Sequence, residues 1–221
     1  MKEKFIVLDV EGYSTCRPYN VGYIVADGEG KIYKKRSFAF LECIWENIKC
    51  MVRTKQAEEM TKANIEEILQ DIKNKKNKRK YKTVSVKTFE KIFQSDIEKY
   101  KVSKMYAYNV TFDKNAITRL LGYVPNLEYR DIISGILDTR LKTKKYVDFC
   151  IKNSFITEKG NIQTKAEVVY RYLTNYLDFV EEHTGLADVM IEYYILLTAL
   201  KAHSKINWKP RQAWRELNKF R

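Results

Sequence analysis

Asp9 and Glu11 stand one residue apart where the apolar run Phe5-Ile6-Val7-Leu8 gives way to Gly12. Side chains alternate faces along a β-strand, so both carboxylates point one way while Val10 points into the core. Two anions held side by side repel unless a cation lies between them, and hard divalent cations take carboxylate oxygens as ligands. The same Asp-x-Glu spacing recurs at Asp27/Glu29 and Asp96/Glu98 without that context. The first pair sits in a glycine turn, and helical geometry puts the second about 200° apart on a surface. Metal chemistry at Asp9 and Glu11 therefore needs partners elsewhere in the chain.

Two further stretches offer them. In AYNVTFDKNAI (residues 107–117), Asp113 follows a short strand and opens a helix. There it can be a helix-start acid, contributing a few tenths to about 1 kcal/mol. Alternatively it joins Asn109 at the carboxyl end of a sheet, where ligands of open α/β sheets gather. In EEHTGLADVMIEYYILLTAL (residues 181–200), an apolar stripe from Leu186 through Val189, Tyr193 and Leu196 to Leu200 marks a helix starting near Thr184 or Gly185. Inside one continuous helix His183 and Asp188 would diverge by about 140°. With His183 ahead of the helix and Gly185 allowing a sharp entry, both can face one cavity. A lone histidine near a helix start also has a structural reading. The other one, His203, lies on a lysine-rich stretch and reads as surface.

The elements that must position these groups follow from periodicity. Residues 5–10, 20–27 and 31–40 are expected to be strands, the last two a hairpin across Gly28-Glu29-Gly30. The pattern turns helical from about residue 55 and then dissolves into KNKKNKRKYK (73–82), where seven of ten residues are basic. This run is either a solvated loop or an arm gripping phosphates, with Tyr81 available for stacking. Phe89, Ile92, Phe93, Ile97 and Tyr100 form one stripe of an amphipathic helix. Residues 104–109 form a short strand, Gly122 ends the helix after it, and EYRDIIS (128–134) forms another strand. Helices follow to about residue 203, and Pro210 opens a last one carrying Trp214 and Leu217. The tail tryptophans are expected to pack onto the domain. Strands first, then alternating strands and helices, predict a mixed sheet flanked by helices.

The 221 residues are 45% hydrophobic, enough to bury a full core. Their formal net charge of +13 favours a polyanionic partner, nucleic acid before an anionic membrane. Cys16, Cys43, Cys50 and Cys150 include no CxxC pair and are expected to be reduced thiols of a cytoplasmic protein. The opening apolar run is too short for a signal peptide, and no stretch approaches a membrane span.

Asp9-x-Glu11, then Asn109-x-x-Phe112-Asp113, then His183-x4-Asp188 is an ordered pattern that resembles the DEDD exonuclease superfamily in its histidine-bearing, DnaQ-like branch. The tyrosine-bearing branch would place a tyrosine where Thr184 stands. The resemblance extends to the hairpin and to Leu137-Asp138-Thr139, and covers most of residues 5–200. It implies an α/β, ribonuclease H-like domain over 1–203; the basic insertion near 55–86 within it and the basic tail helix over 204–221 are not covered by the resemblance. Richness in Lys, Asn and Ile, without an extra domain, looks like a stand-alone bacterial or bacteriophage member.

The resemblance further implies two Mg²⁺ or Mn²⁺ ions held by Asp9, Glu11, Asp113 and Asp188, activating water and stabilising a departing 3′ oxygen. His183 would be the general base, a task suited to imidazole. Gly12, Tyr13 and Asn109 would meet the terminal nucleotide, although a turn glycine with a packing tyrosine explains Gly12 and Tyr13 nearly as well. Independently of the resemblance, the charge of the basic run has Lys75, Lys76, Lys78, Arg79 and Lys80 contacting phosphates. The implied activity is 3′→5′ release of nucleoside monophosphates from single-stranded DNA or RNA ends. An RNA-trimming enzyme, a polymerase-bound proofreading subunit docked through its tail, and a non-catalytic nucleic-acid binder are the alternatives.

Overall fold

The computed structural model describes residues 2–13, 15–51, 58–73, 81–202 and 205–221. The first half runs β1 (Lys4–Glu11), β2 (Asn20–Asp27), β3 (Ile32–Ala39), α1 (Leu41–Met51), α2 (Glu58–Lys73), β4 (Lys82–Thr83) and α3 (Val86–Tyr100). Then come β5 (Lys104–Ala107), α4 (Val110–Leu121), β6 (Glu128–Asp131) and α5 (Ile132–Ile136). A π-helical turn at Leu137–Leu141 leads to α6 (Lys144–Lys152), α7 (Ala166–Thr174), α8 (Gly185–Leu200) and the short α9 (Ala213–Leu217).

The strands form one mixed sheet in the order β4-β3-β2-β1-β5-β6. β1–β2–β3 is antiparallel, while β5 and β6 run parallel to β1. β1 is covered on both faces, which is why its run is continuously apolar rather than alternating. Phe5 and Val7 enter a core built with α5 to α9; Ile6, Leu8 and Val10 enter a second core built with α1 to α4. Asp9 and Glu11 continue the face of Phe5 and Val7, towards α8. Parallel β1, β5 and β6 bring three carboxyl ends to one rim, and on it stand Glu11, Asn109 and Asp131.

Several expectations change at this level. EYRDIIS is a strand only as far as Asp131, whose carboxylate accepts the Ser134 N–H and starts α5. The last helix begins at Ala213, not at Pro210. Tyr81 is buried in the second core and so cannot stack on a base from there. Asp96 is not a surface acid: it is buried against Arg36 and the Tyr23 hydroxyl. Asp27 does serve its turn, accepting the Glu29 and Lys31 N–H groups. Cys43 and Cys150 are free and buried, but Cys16 is disulfide-bonded, which overturns the reduced state expected for it. Cysteine spacing does not report which Cβ atoms the fold brings together. Among the described residues no helix is long and apolar enough to cross a membrane.

Candidate active site

α8 is fixed over the sheet by a backbone-on-backbone crossing. Gly22 pairs with Asp9 across β1 and β2, and Gly185, the first residue of α8, lies directly on it. A Cβ on Gly22 would lie 2.1 Å from the Gly185 carbonyl carbon, and one on Gly185 would lie 2.7 Å from the Gly22 nitrogen. Only two glycines allow this approach. The buried Asn20 clamps it, accepting the Gly185 N–H through Oδ1 at 3.0 Å and donating through Nδ2 to the Phe38 carbonyl. One turn later, Asp188 arrives beside Asp9.

Carboxylate oxygens of Asp9, Glu11 and Asp188 lie within 4.8 Å of one another. Asp113, the first-turn acid of α4, is not part of that group. Its Oδ1 accepts the N–H of Val10, the residue between the strand acids, at 3.2 Å. Its charge is felt at both Asp9 and Glu11. The helix carrying it is held in turn by Asp131, whose Oδ1 accepts the Val110 N–H.

Burial, and then the charge of Glu11, push the Asp9 carboxyl far above the usual carboxylate range. Burial and the Asp188 charge do the same to Glu11. Asp188 is raised to about 7 by burial and by Glu181, and Asp113 to about 8 by burial, although its bond from Val10 opposes this. Such a group cannot carry all its charges near neutrality without a counter-ion. Asp9 Oδ2 and Asp188 Oδ1 are moreover buried without a hydrogen-bond partner. Converging hard oxygens with unused lone pairs fit Mg²⁺ or Mn²⁺.

His183 precedes the helix, as expected, with φ at +53°. That left-handed backbone is uncommon for a residue with a Cβ, and it is held by the buried Asn64, whose Nδ2 donates to the His183 carbonyl at 2.8 Å. The imidazole is about one-third exposed, with Nδ1 3.8 Å from Glu181 Oε2, and it is not a member of the carboxylate group. The Gly12–Pro18 loop is tied down by Asn47 of α1, which accepts the Tyr13 N–H and donates to the Arg17 carbonyl. Asn109 precedes α4 as an exposed residue and does not cap it through its side chain. Lys75, Lys76, Lys78, Arg79 and Lys80 lie outside the described residues, as does His203.

No family model and no curated protein sequence matches the chain. Among solved structures it is similar to Escherichia coli exonuclease I in complex with a dA16 oligonucleotide, with a TM-score of 0.52 and 12% identity over 99% of this chain and 43% of that one. A dT13 complex of the same enzyme gives a TM-score of 0.51 and 13% identity over 91% and 42%. The fold is ribonuclease H-like. The chain spans less than half the length of these structures.

Sequence reasoning missed Glu192, a buried acid whose Oε2 accepts the Tyr108 N–H. Burial and the charges of Asp113 and Asp188 raise its carboxyl well above the ordinary range. It lies four residues after Asp188, on the same helical face, and that spacing was the available signal. Glu181 and Asn64 were missed as well; nothing local in the sequence marks them.

Proposed function

We propose that this protein is a metal-dependent 3′→5′ exonuclease that hydrolyses single-stranded nucleic acid ends and releases nucleoside monophosphates. The observation carrying this reading is the convergence of Asp9, Glu11 and Asp188 oxygens within 4.8 Å, with one oxygen each of Asp9 and Asp188 buried and unpartnered, at the carboxyl rim of a ribonuclease H-like sheet. Asp9, Glu11 and Asp188 would hold the metal, with Asp113 completing the set and bracing β1 through Val10. Bound divalent ions of this kind supply a water nucleophile near neutral pH and charge stabilisation for the departing 3′ oxygen.

The protein's own groups do the rest. His183, held in a left-handed backbone at the mouth of α8, would take the proton of the attacking water through its partly exposed imidazole. Glu181, 3.8 Å from Nδ1, would orient the ring and favour the positive charge it acquires. Gly12 and Tyr13, with the Tyr13 N–H held by Asn47, and Asn109 would line the terminal nucleotide. Single-stranded DNA is the first substrate to try, because the similar structures are exonuclease I complexes with oligonucleotides. End-labelled single-stranded DNA, double-stranded DNA, single-stranded RNA and a DNA–RNA hybrid should be incubated with Mg²⁺ and resolved for laddering. Shortening from the 3′ end, abolished by EDTA, is the expected result. Full stability of all four strands would overturn the reading.

A further inference from the structure

A cavity of about 840 Å³ opens between residues 156–165 and the C-terminal segment. Tyr108, Asn109, Lys159, Lys165, Arg211 and Trp214 are among the residues that line it. It is far larger than one phosphate needs, and two of its lining residues, Tyr108 and Asn109, border the acidic cluster. Tyr108 donates its N–H to Glu192, and Asn109 immediately precedes the helix that carries Asp113. We infer that this cavity holds the single strand upstream of the 3′ end, making the C-terminal segment a wall of the substrate path. The direction of the strand rests on the exonuclease reading; the affinity of the cavity for single-stranded nucleic acid does not.

Charge selects the occupant. Lys159 and Lys165 are exposed and have no ion-pair partner among the described residues, whereas Arg211 is consumed by the Ser134 carbonyl, Asp138 and Glu216. Two exposed ammonium groups on one wall suit a phosphodiester backbone, and the charge of Lys165 is also felt at Glu181. Trp214 supplies an aromatic surface on the other wall, with the Arg215 guanidinium 5.2 Å from its ring centroid. An indole beside basic side chains is a sequence-tolerant platform for bases.

The wall is built before any ligand arrives. Trp208 lies flat against Gly135, where a Cβ would be 2.2 Å from the indole. Asn207 donates its N–H to Asp138, Lys142 pairs with Glu216, and Asn218 Oδ1 accepts the Ile162 N–H. A preformed groove spends little affinity on ordering itself.

The test is fluorescence anisotropy of labelled dT12 and rU12 with the full chain in EDTA, with unlabelled dT3 as competitor, for wild type, Trp214→Ala and Lys159→Ser/Lys165→Ser. Trp214→Ala should weaken 12-mer binding roughly 5- to 150-fold, the range of one base stack. The lysine pair should weaken it too and lower the log–log salt slope by about 1.4, or 0.7 for each phosphate contact. The dT3 affinity should fall by a smaller factor in both variants. Unchanged 12-mer binding in both, or equal losses for 3-mer and 12-mer, would overturn the inference. Because a tail variant could unfold locally, the lysine pair, whose two residues are exposed, decides if the two disagree. A wild-type chain that binds 12-mers through this cavity but cleaves nothing would refute the exonuclease reading alone.

Discussion

At the scale of single residues, the proposed chemistry rests on acids that repel one another and on the imidazole of His183. Asp9 is the extreme case, flanked by the charges of Glu11, Glu192, Asp113 and Asp188, with Oδ2 unpartnered. Asp9→Asn keeps the shape and deletes one ligand charge. It should abolish turnover without lowering the melting temperature, because it also relieves repulsion; nuclease assays beside circular dichroism melts check this. Full activity in that variant would remove Asp9 from the metal set. His183→Ala separates a base from a structural histidine. Loss of a general base should cost roughly 10²- to 10⁴-fold in kcat with little change in KM or Mn²⁺ affinity. A variant within a few-fold of wild type in single-turnover assays would return His183 to a purely structural role, namely shaping the entry to α8.

At the scale of elements, one contact sets the geometry: Gly22 on β2 against Gly185 on α8. Gly22→Ala would put a methyl group against the Gly185 backbone, and the helix would have to lift. Overpacking of this kind costs about 1–3 kcal/mol and should draw Asp188 away from Asp9. Isothermal titration should show weaker Mn²⁺ binding for Gly22→Ala. Gly28→Ala, whose Cβ would meet only the Leu200 side chain at 3.6 Å, should bind as wild type does. Equal affinities in the two variants would mean that the crossing does not position the acid. This contact also marks the boundary of what was legible in the sequence. β1, β2, β3, α3 and α4 were legible because burial periodicity and the Gly122 cap are local signals, and the acids at their ends followed. The partner of Gly185 was not, since a crossing between residues 22 and 185 leaves no trace in either neighbourhood. α1 escaped for a different reason: its buried face carries the polar Asn47, while its Trp45 is 60% exposed, so the apolar pattern misleads. The same inversion hid Asp96 and Glu192, charged residues buried by partners far away in sequence.

At the scale of the whole molecule, a strongly basic chain concentrates five carboxyls at one rim, and their protonation is linked to folding. Asp9, Glu11, Asp113, Asp188 and Glu192 all titrate higher in the folded protein than in an unfolded chain, chiefly through burial. Between the ordinary carboxylate pKa near 4 and the raised values of about 7 to 8 for Asp188 and Asp113, the native state therefore binds more protons than the unfolded state. Stability of the metal-free protein must then fall as pH rises through that window. Asp27, Glu128 and Asp138 act in the opposite sense. Burial opposes the shift at Asp27 and Asp138, but Lys31 and Tyr33 hold Asp27 low and Arg211 and Lys142 hold Asp138 low; Arg130 lowers Glu128. Their contribution is lost only as pH falls below about 4, so a comparison starting at pH 5 leaves them out; Glu181, raised to about 7 chiefly by burial, adds to the cluster in the same sense. In EDTA the melting temperature should be higher at pH 5 than at pH 8, each kcal/mol being worth roughly 2–4 °C for a chain of this size. Adding Mn²⁺ should raise it strongly at pH 8 and little at pH 5, where protons already occupy the oxygens. Glu192→Gln, which can keep the bond from Tyr108 through its amide oxygen, should flatten the EDTA profile by deleting one repelling charge. A metal-free melting temperature that climbs steadily from pH 5 to pH 8 would show that these carboxyls do not share one unneutralised site.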